Sequence, residues 1–157
     1  MADMQTVDER TAVDVGTEFA RAYARGDFDR VRELVAPDVL EREINPGGYI
    51  ELRGADELVA EARDFSGRYG RPEVLELTVE AAGPLVRVLN RWRLRWDGEP
   101  ALCDFYELLR IESGRVAQIV LLCSGVLPDV RPGRRRRRQM CRTLRTRARA
   151  GPMATRC

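Results

Sequence analysis

The chain has 157 residues, of which 44% are hydrophobic and 33% charged, and its formal charge at pH 7 is +2; these values are typical of a globular protein with room for one core and hardly for two. It contains no histidine, which removes the commonest general base and the usual zinc ligand. No apolar stretch approaches the roughly 18 residues of a transmembrane helix, and the acidic start MADMQTVDER does not fit a secretory signal, so we expect a cytoplasmic protein.

The N-terminal part predicts two helices in succession. Apolar residues recur at helical spacing across residues 11–25, and Gly26 follows where a helix stop is expected. Asp27 is then placed to cap a second helix, whose apolar face ends near Pro37.

A hairpin and a third helix come next. Residues 39–44 and 50–53 are predicted strands around the turn Asn45-Pro46-Gly47-Gly48. Gly54-Ala55-Asp56 then opens a helix, whose inward residues are Leu58, Val59, Ala62 and Phe65.

After Gly70 the hydrophobic period changes from 3.6 to 2, which predicts four strands joined by tight turns. Two of the turns are Asp97-Gly98 and Ser113-Gly114, and the last strand covers residues 116–123. The inward faces are predicted to carry Leu75, Leu77 and Val79; then Val86, Val88, Asn90, Trp92, Leu94 and Trp96; then Cys103, Phe105, Glu107, Leu109 and Ile111. Helices followed by a meander of antiparallel strands are typical of the α+β class.

The four cysteines show no metal-binding spacing. Cys103 and Cys123 lie in apolar strand patterns, where we expect buried free thiols. Cys141 and Cys157 lie in the C-terminal stretch.

Two segments resemble a known family, the SnoaL-like and ketosteroid-isomerase-like branch of the nuclear-transport-factor-2-like proteins. They are the helix pair Phe19-Ala-Arg-Ala-Tyr-Ala-Arg-Gly-Asp-Phe-Asp with Leu34-Val-Ala-Pro-Asp-Val, and the hairpin Phe105-Tyr-Glu-Leu-Leu-Arg-Ile-Glu-Ser-Gly-Arg-Val116. The resemblance covers roughly residues 10–127. It implies three N-terminal helices packed on a strongly curved mixed or antiparallel sheet, which form a cone with an internal pocket across residues 1–130.

The resemblance also implies site residues. The isomerase's catalytic carboxylate falls on Glu43 and its oxyanion-hole acid on Glu107. Its hydroxyl-donating Tyr falls on Phe19, which departs from the steroid-isomerase pattern. The Arg and two Asp of the epoxide-hydrolase branch are not found at the inward positions.

Glu107 stands out without the resemblance, because it is the lone charge on an otherwise apolar strand face. Burial raises the pKa of a carboxyl and prepares it to donate a hydrogen bond or a proton. The alternative is a core carboxylate paired with an inward Arg, or a bulge that turns it to solvent.

Glu43 and Glu41 are two residues apart, so both point to one side of a strand, where one could be a base or the two could share a proton. A solvated edge strand would explain them equally well. Candidate substrate-binding residues are the polar Asn90 and the aromatic residues Trp92, Phe19, Tyr23, Phe105 and Tyr49. Asn90 could instead satisfy backbone groups, and the aromatic residues could be plain core.

The C-terminal residues 131–157 differ sharply from the rest. Residues 1–130 hold all 25 acidic residues and 16 of the 27 basic ones, a formal charge of −9, whereas residues 131–157 hold 11 Arg and no acid. We expect this Arg-rich tail to be disordered. It could bind polyanions weakly and without sequence preference, fold onto the acidic body or a dimer mate, or only aid solubility.

Together these features predict a cofactor-free enzyme of the polyketide-cyclase or isomerase kind, in secondary metabolism. Glu107 would be the protonated donor, Glu43 the base and Asn90 the orienting group for isomerisation, cyclisation or dehydration, the last a lyase reaction, of an apolar polycyclic or terpenoid-like substrate. The alternative is a non-catalytic module that binds a small ligand or forms a homodimer through its sheet, with an Arg tail that binds polyanions. The resemblance also implies a homodimer, with Arg87, Leu89, Arg91, Arg93 and Arg95 on the paired face opposite the pocket.

Overall fold

A computed structural model describes residues 8–129, which form three helices and seven strands. The helices are α1 (Glu9–Arg25), α2 (Phe28–Leu34) and α3 (Gly54–Tyr69). The strands are β1 (Val35–Asn45), β2 (Gly48–Arg53), β3 (Glu73–Ala82), β4 (Leu85–Trp96), β5 (Glu99–Glu112), β6 (Arg115–Cys123) and β7 (Leu127–Pro128).

The first two helices begin and end on local capping signals. The Asp8 side chain accepts a hydrogen bond from the Thr11 N–H at the start of α1, and the Asp27 side chain accepts one from the Arg30 N–H at the start of α2. Gly26 ends α1 in the left-handed conformation, with φ of 69°. These caps fix the corner that brings α1 and α2 together.

The strands form one mixed sheet in the order β2-β1-β6-β5-β4-β3, with β7 paired to β5. Only the β1–β6 pair is parallel, and the other pairs are antiparallel. The three helices pack on one face of this curled sheet, which stays open because β2 and β3 are its edges. This is the α+β cone that the sequence predicted.

The core lies between the helices and the concave face of the sheet. Its centre holds Val31 and Leu58 from the helices and Val88, Leu109 and Ile119 from the strands, each 2% exposed or less. A second cluster, at the other end of the sheet, surrounds Trp92, Cys103 and Phe105. The cavity described below lies beside this second cluster.

Several sequence-based boundaries differ in the structure. The second helix ends at Leu34, three residues before Pro37, because the chain already pairs with β6 from Val35. Trp96 is 51% exposed rather than inward, since inward alternation on β4 ends at Leu94. Leu75 is exposed because the β3–β4 register shifts between Val74 and Glu76.

The C-terminal tail and the absence of a membrane span were two further expectations from the sequence. The Arg-rich tail, residues 131–157, lies outside the described residues, so its separation from the domain stays a prediction. Within residues 8–129 no helix is both long and apolar enough to cross a membrane.

Candidate functional site

A cavity of about 180 Å³ opens between α1, α3 and the concave side of β1, β2, β5 and β6. Its wall is built mainly from carboxyl and aromatic side chains, with apolar residues between them. The lining residues are Tyr23, Glu41, Glu43, Asn45, Ile50, Leu52, Leu58, Glu61, Phe65, Arg68, Tyr69, Phe105, Leu121, Cys123, Gly125 and Val126.

Strand register brings the acidic residues of the sheet to the same concave face. Glu107 on β5 pairs with Leu121 on β6, and Leu121 pairs in turn with Glu43 on β1. Glu41 lies two residues before Glu43, so the alternation of side chains in a strand places both on the cavity side. The carboxyl groups of two neighbouring acids on β1 and of the distant Glu107 thus converge on one region.

Glu41 is the most strongly perturbed of these acids. It is only 8% exposed, and burial, followed by the nearby charges of Glu107, Glu43 and Glu61, raises its pKa from 4.5 to about 8. No cation contributes to the shift, so the neutral carboxylic acid is the favoured form of Glu41 at pH 7.

The pKa of Glu107 is shifted in the same direction as that of Glu41. Burial raises its pKa from 4.5 to about 7, although a hydrogen bond from Asn90 Nδ2 at 3.5 Å opposes the shift. Neither sequence-based alternative applies, because its hydrogen-bond partner is an amide rather than an Arg, and the β5–β6 register shift falls between Arg110 and Ile111. Within residues 8–129, the Asn90 Oδ1 atom is buried without a hydrogen-bond partner.

Tyr23 on α1 faces the acids from the helical side. Burial raises its pKa well above 10.0, and the charges of Glu41, Glu107, Glu43 and Glu61 raise it further. The phenol therefore stays protonated and can act only as a hydrogen-bond donor or acceptor near pH 7.

Aromatic rings close one end of the cavity. The rings of Trp92 and Phe105 lie edge to face with centroids 4.6 Å apart, and Phe65 lies 5.9 Å from Phe105 and 4.8 Å from Tyr69. Tyr23 packs on Trp92 at 5.9 Å. Such tilted contacts stabilise the cluster beyond its buried area, so this end of the cavity has a well-defined shape.

The residues predicted from sequence lie at different distances from the cavity. Glu43, Tyr23 and Phe105 line it, and Asn90 is tied to Glu107 beside it. Trp92 packs behind Phe105.

Two other predicted residues lie away from the lining. Phe19 is 2% exposed in the main core. Tyr49 is 60% exposed, and its hydroxyl donates to Glu51 Oε2 at 3.0 Å on the other side of the hairpin. Their proposed contact with substrate therefore has no support from the cavity wall.

Sequence reasoning missed the acidic and basic residues that α3 contributes. Glu61 lies three residues after Leu58 and four before Phe65, so the helical spacing alone places it on the inward side. Arg68 is the cationic residue of the lining, and its Nη2 atom lies 3.2 Å from Glu61 Oε1. Among residues 8–129 no three acidic or thiol side chains are arranged to hold a metal ion.

Solved structures share this fold at low sequence identity. An LEH-like epoxide hydrolase from M. tuberculosis is 20% identical with a TM-score of 0.62, over 74% of this chain and 84% of the other. A putative polyketide cyclase from Xanthomonas campestris is 16% identical with a TM-score of 0.64, over 73% and 90%. A hypothetical protein with a ketosteroid isomerase-like fold from Catenulispora acidiphila, in complex with trimethylamine, is 16% identical with a TM-score of 0.61, over 71% and 85%.

A search of curated proteins finds no match. The model of the SnoaL-like domain family, by contrast, matches residues 17–119. This range runs from within α1 into β6 and includes every carboxyl group of the cavity. The chain therefore belongs to the SnoaL-like domain family, as the helix pair and the closing hairpin suggested.

Proposed function

We propose that this protein is a cofactor-independent acid/base enzyme that acts on a small apolar carbonyl compound by isomerisation, cyclisation or dehydration. The observation that carries the proposal is that two acids able to hold a proton and a third carboxyl group, the candidate base, lie around one cavity. Glu41 and Glu107 have pKa values of about 8 and about 7, so each can hold a proton near neutral pH, while Glu43 lines the same cavity.

The roles follow from position and protonation. Glu43 removes a proton from the carbon next to the carbonyl, and Asn45 Nδ2 holds its carboxylate by a hydrogen bond of 2.9 Å. Glu107 is the acid that stabilises the developing enolate oxygen, with Glu41 as a second donor that lines the cavity directly. The hydrogen bond from Asn90 holds the Glu107 side chain in place, and Glu107 in turn positions the substrate carbonyl. The product forms when the proton that Glu43 removed is returned to another carbon or to a departing hydroxyl group.

The cavity volume limits the substrate. About 180 Å³ is only slightly more than the ~150 Å³ of an engineered cavity that takes up benzene. Because the cavity opens to solvent, this volume favours burial of one ring, or of a similarly small terpenoid-like ketone, rather than of the whole polycyclic substrate expected from the sequence. The four acidic residues around the cavity disfavour an anionic substrate.

Hydrogen exchange on a simple ketone tests this proposal. Cyclohexanone is incubated with the full chain in deuterated buffer, and the loss of its α-hydrogens is followed by NMR. We expect the wild type to exchange the α-hydrogens faster than buffer does, and Glu43→Gln to lower this exchange rate by about 10²-fold or more. Glu51→Gln, the control on the outer side of the same hairpin, should leave the rate unchanged. Binding of the ketone without faster exchange would favour a non-catalytic module.

That alternative has an observation of its own, the combination of acids and aromatic rings in one cavity. Aromatic faces and carboxylates both attract organic ammonium groups, and the similar fold from Catenulispora acidiphila was solved with trimethylamine. A binding module for a small ammonium compound is therefore the second candidate.

Tetramethylammonium is a suitable probe because it does not titrate. Its affinity should rise as pH increases through about 7 to 8, where Glu107 and Glu41 ionise, and Glu41→Gln should weaken it. An affinity independent of pH and equal to that of neutral tert-butanol would exclude this candidate.

The proposed partner in solution is a second copy of the chain, bound through the convex face of the sheet. Ile44, Val120 and Leu122 are 54%, 37% and 46% exposed on neighbouring strands of that face. Arg91 and Arg93 there already pair with Asp104 and Glu73, at 2.8 and 2.7 Å. Paired charges around an apolar centre suit contact between two copies.

Weak polyanion binding by residues 131–157 stays a separate proposal.

A further inference from the structure

Two thiols meet beside the cavity, and one of them lies in its wall. Cys103 on β5 is fully buried, and Cys123 at the end of β6 is half-buried and lines the cavity. Because Phe105 pairs with Cys123 in the β5–β6 register, the two cysteines are diagonal neighbours on the same face of the sheet. Their Sγ atoms are 3.5 Å apart.

We propose that Cys103 and Cys123 form a peroxide-sensitive thiol pair, in which Cys123 reacts first with a hydroperoxide and Cys103 then closes a disulfide in the cavity wall. The proposal is independent of the acid/base function, because neither sulfur has a role in that chemistry.

The hydrogen bonds around the two sulfurs distinguish their roles. The Gly125 N–H donates to Cys123 Sγ at 3.3 Å, so Cys123 is an acceptor, and the Cys103 thiol is placed to donate to it as well. Both bonds favour a thiolate on Cys123. They lower its pKa, with the Cys103 bond as the largest cause, against burial and the charges of Glu43 and Asp104.

Cys103 is shifted the other way. The bond with Cys123, burial and the charge of Cys123 raise the pKa of Cys103, with a smaller contribution from Asp104 and against a hydrogen bond with Ser124. Since the thiolate is the nucleophile, Cys123 is the attacking sulfur and Cys103 the resolving one. The cavity gives a small hydroperoxide a route to Cys123 but not to the fully buried Cys103.

The chemistry balances in two steps. The Cys123 thiolate attacks the terminal oxygen of the hydroperoxide; an S–O bond forms, the O–O bond breaks, and the alcohol leaves after taking a proton. Cys103 then loses its proton and attacks the Cys123 sulfur; the S–S bond forms and the S–O bond breaks, releasing water. Two thiols are oxidised by two electrons and one hydroperoxide is reduced.

Disulfide formation would alter the cavity. A disulfide holds its sulfurs at about 2.0 Å, so Cys123 must approach β5 from the 3.5 Å contact. Gly125 and Val126, which follow Cys123, also line the cavity. Oxidation would therefore displace part of the wall and change ligand uptake.

The test treats the reduced full chain with equimolar hydrogen peroxide and maps its peptides by mass spectrometry. We expect a Cys103–Cys123 cross-link that dithiothreitol reverses. In Cys103→Ala the reaction should stop at a Cys123 sulfenic acid, which dimedone traps. In Cys123→Ser the remaining Cys103 thiol should react more than about tenfold more slowly than Cys123 does in the wild type.

Two results would overturn the proposal. One is a Cys103 thiol that reacts as fast as Cys123; the other is a main cross-link that involves Cys141 or Cys157, which the same peptide maps would reveal. Circular dichroism of each variant checks that it is folded. Should Cys103→Ala fail to fold, Cys103→Ser replaces it. The order in which Cys123 and Cys103 are oxidised in the wild type then shows by itself which thiol reacts first.

Discussion

The single residues of the cavity illustrate what a sequence pattern can and cannot predict. Glu107 was identifiable because one charge interrupts an apolar strand face, and the structure gives it a raised pKa of about 7. Glu41 was only noticed as the neighbour of Glu43, although its pKa of about 8 is higher. Its perturbation comes mainly from burial and then from Glu107 on a distant strand, which no local pattern contains.

The first residue-scale prediction concerns stability and pH. The pKa of Glu41 is raised from 4.5 to about 8 on folding, so its contribution to stability is complete below about 4.5 and is lost as pH rises through about 8. Glu41→Gln should remove this loss. Relative to the wild type it should gain up to roughly 3–5 kcal/mol between pH 5 and pH 9, measured by urea unfolding. An unchanged difference across that range would show that Glu41 is not buried.

The matched control is Glu51→Gln on β2. Tyr49 and Arg53 hydrogen bonds lower the pKa of Glu51, so its removal should not reproduce the gain of Glu41→Gln at high pH. A gain from both variants would point to a general charge effect instead.

At the scale of elements, the three helices, the six longer strands and most of their boundaries could be read from periodicity and turn residues. The parallel β1–β6 pair could not, because it joins residues about 80 apart in a register that only the tertiary packing defines. Likewise β7 has two residues and no periodic signal. The inward side of α3 was predictable, but Glu61 was overlooked because only the apolar positions were followed.

The contact of α1 with the sheet gives an element-scale prediction at Gly16. A Cβ there would lie 2.8 Å from Val86 Cγ1, and Val86 is 2% exposed and cannot easily move. Gly16→Ala should therefore destabilise the fold by about 1–2 kcal/mol, since overpacking outweighs the better helix propensity of alanine. Thermal unfolding measures the loss.

Gly67 in α3 is the control for helix propensity. A Cβ at this position meets nothing within 4 Å, so Gly67→Ala should stabilise the protein by up to about 1 kcal/mol. Opposite signs for the two variants support close packing of α1 on β4. Equal stabilisation by both would contradict it.

At the scale of the whole molecule, the charge division predicts that residues 131–157 add little to folding. They hold 11 Arg, no acid and few apolar residues, so they offer little surface to bury. A chain that ends at Val130 should unfold within a few degrees of the full chain in calorimetry. A large loss of stability would show that the tail docks on the acidic domain.

The proposed homodimer is also a property of the whole molecule. Val120→Glu places a charge on the proposed apolar contact, in a position 37% exposed in the single chain. Sedimentation should show a dimer for the wild type at micromolar concentration and a monomer for Val120→Glu, with Glu57→Gln on the exposed side of α3 as the control. A wild-type monomer would remove the proposal.

The proposed function depends above all on carboxyl groups of the cavity that keep their protons near neutral pH. Carbon-13 NMR titration of the Glu side-chain carboxyls in the full chain tests it directly, with Glu41→Gln and Glu107→Gln for assignment. We expect one carboxyl to titrate near 8 and another near 7, and Glu107→Gln to lower the pKa of Glu41 because the Glu107 charge is gone. Titration of both groups near the ordinary value of about 4.3 would show that both are ionised at pH 7 and that the cavity has no acid to donate a proton.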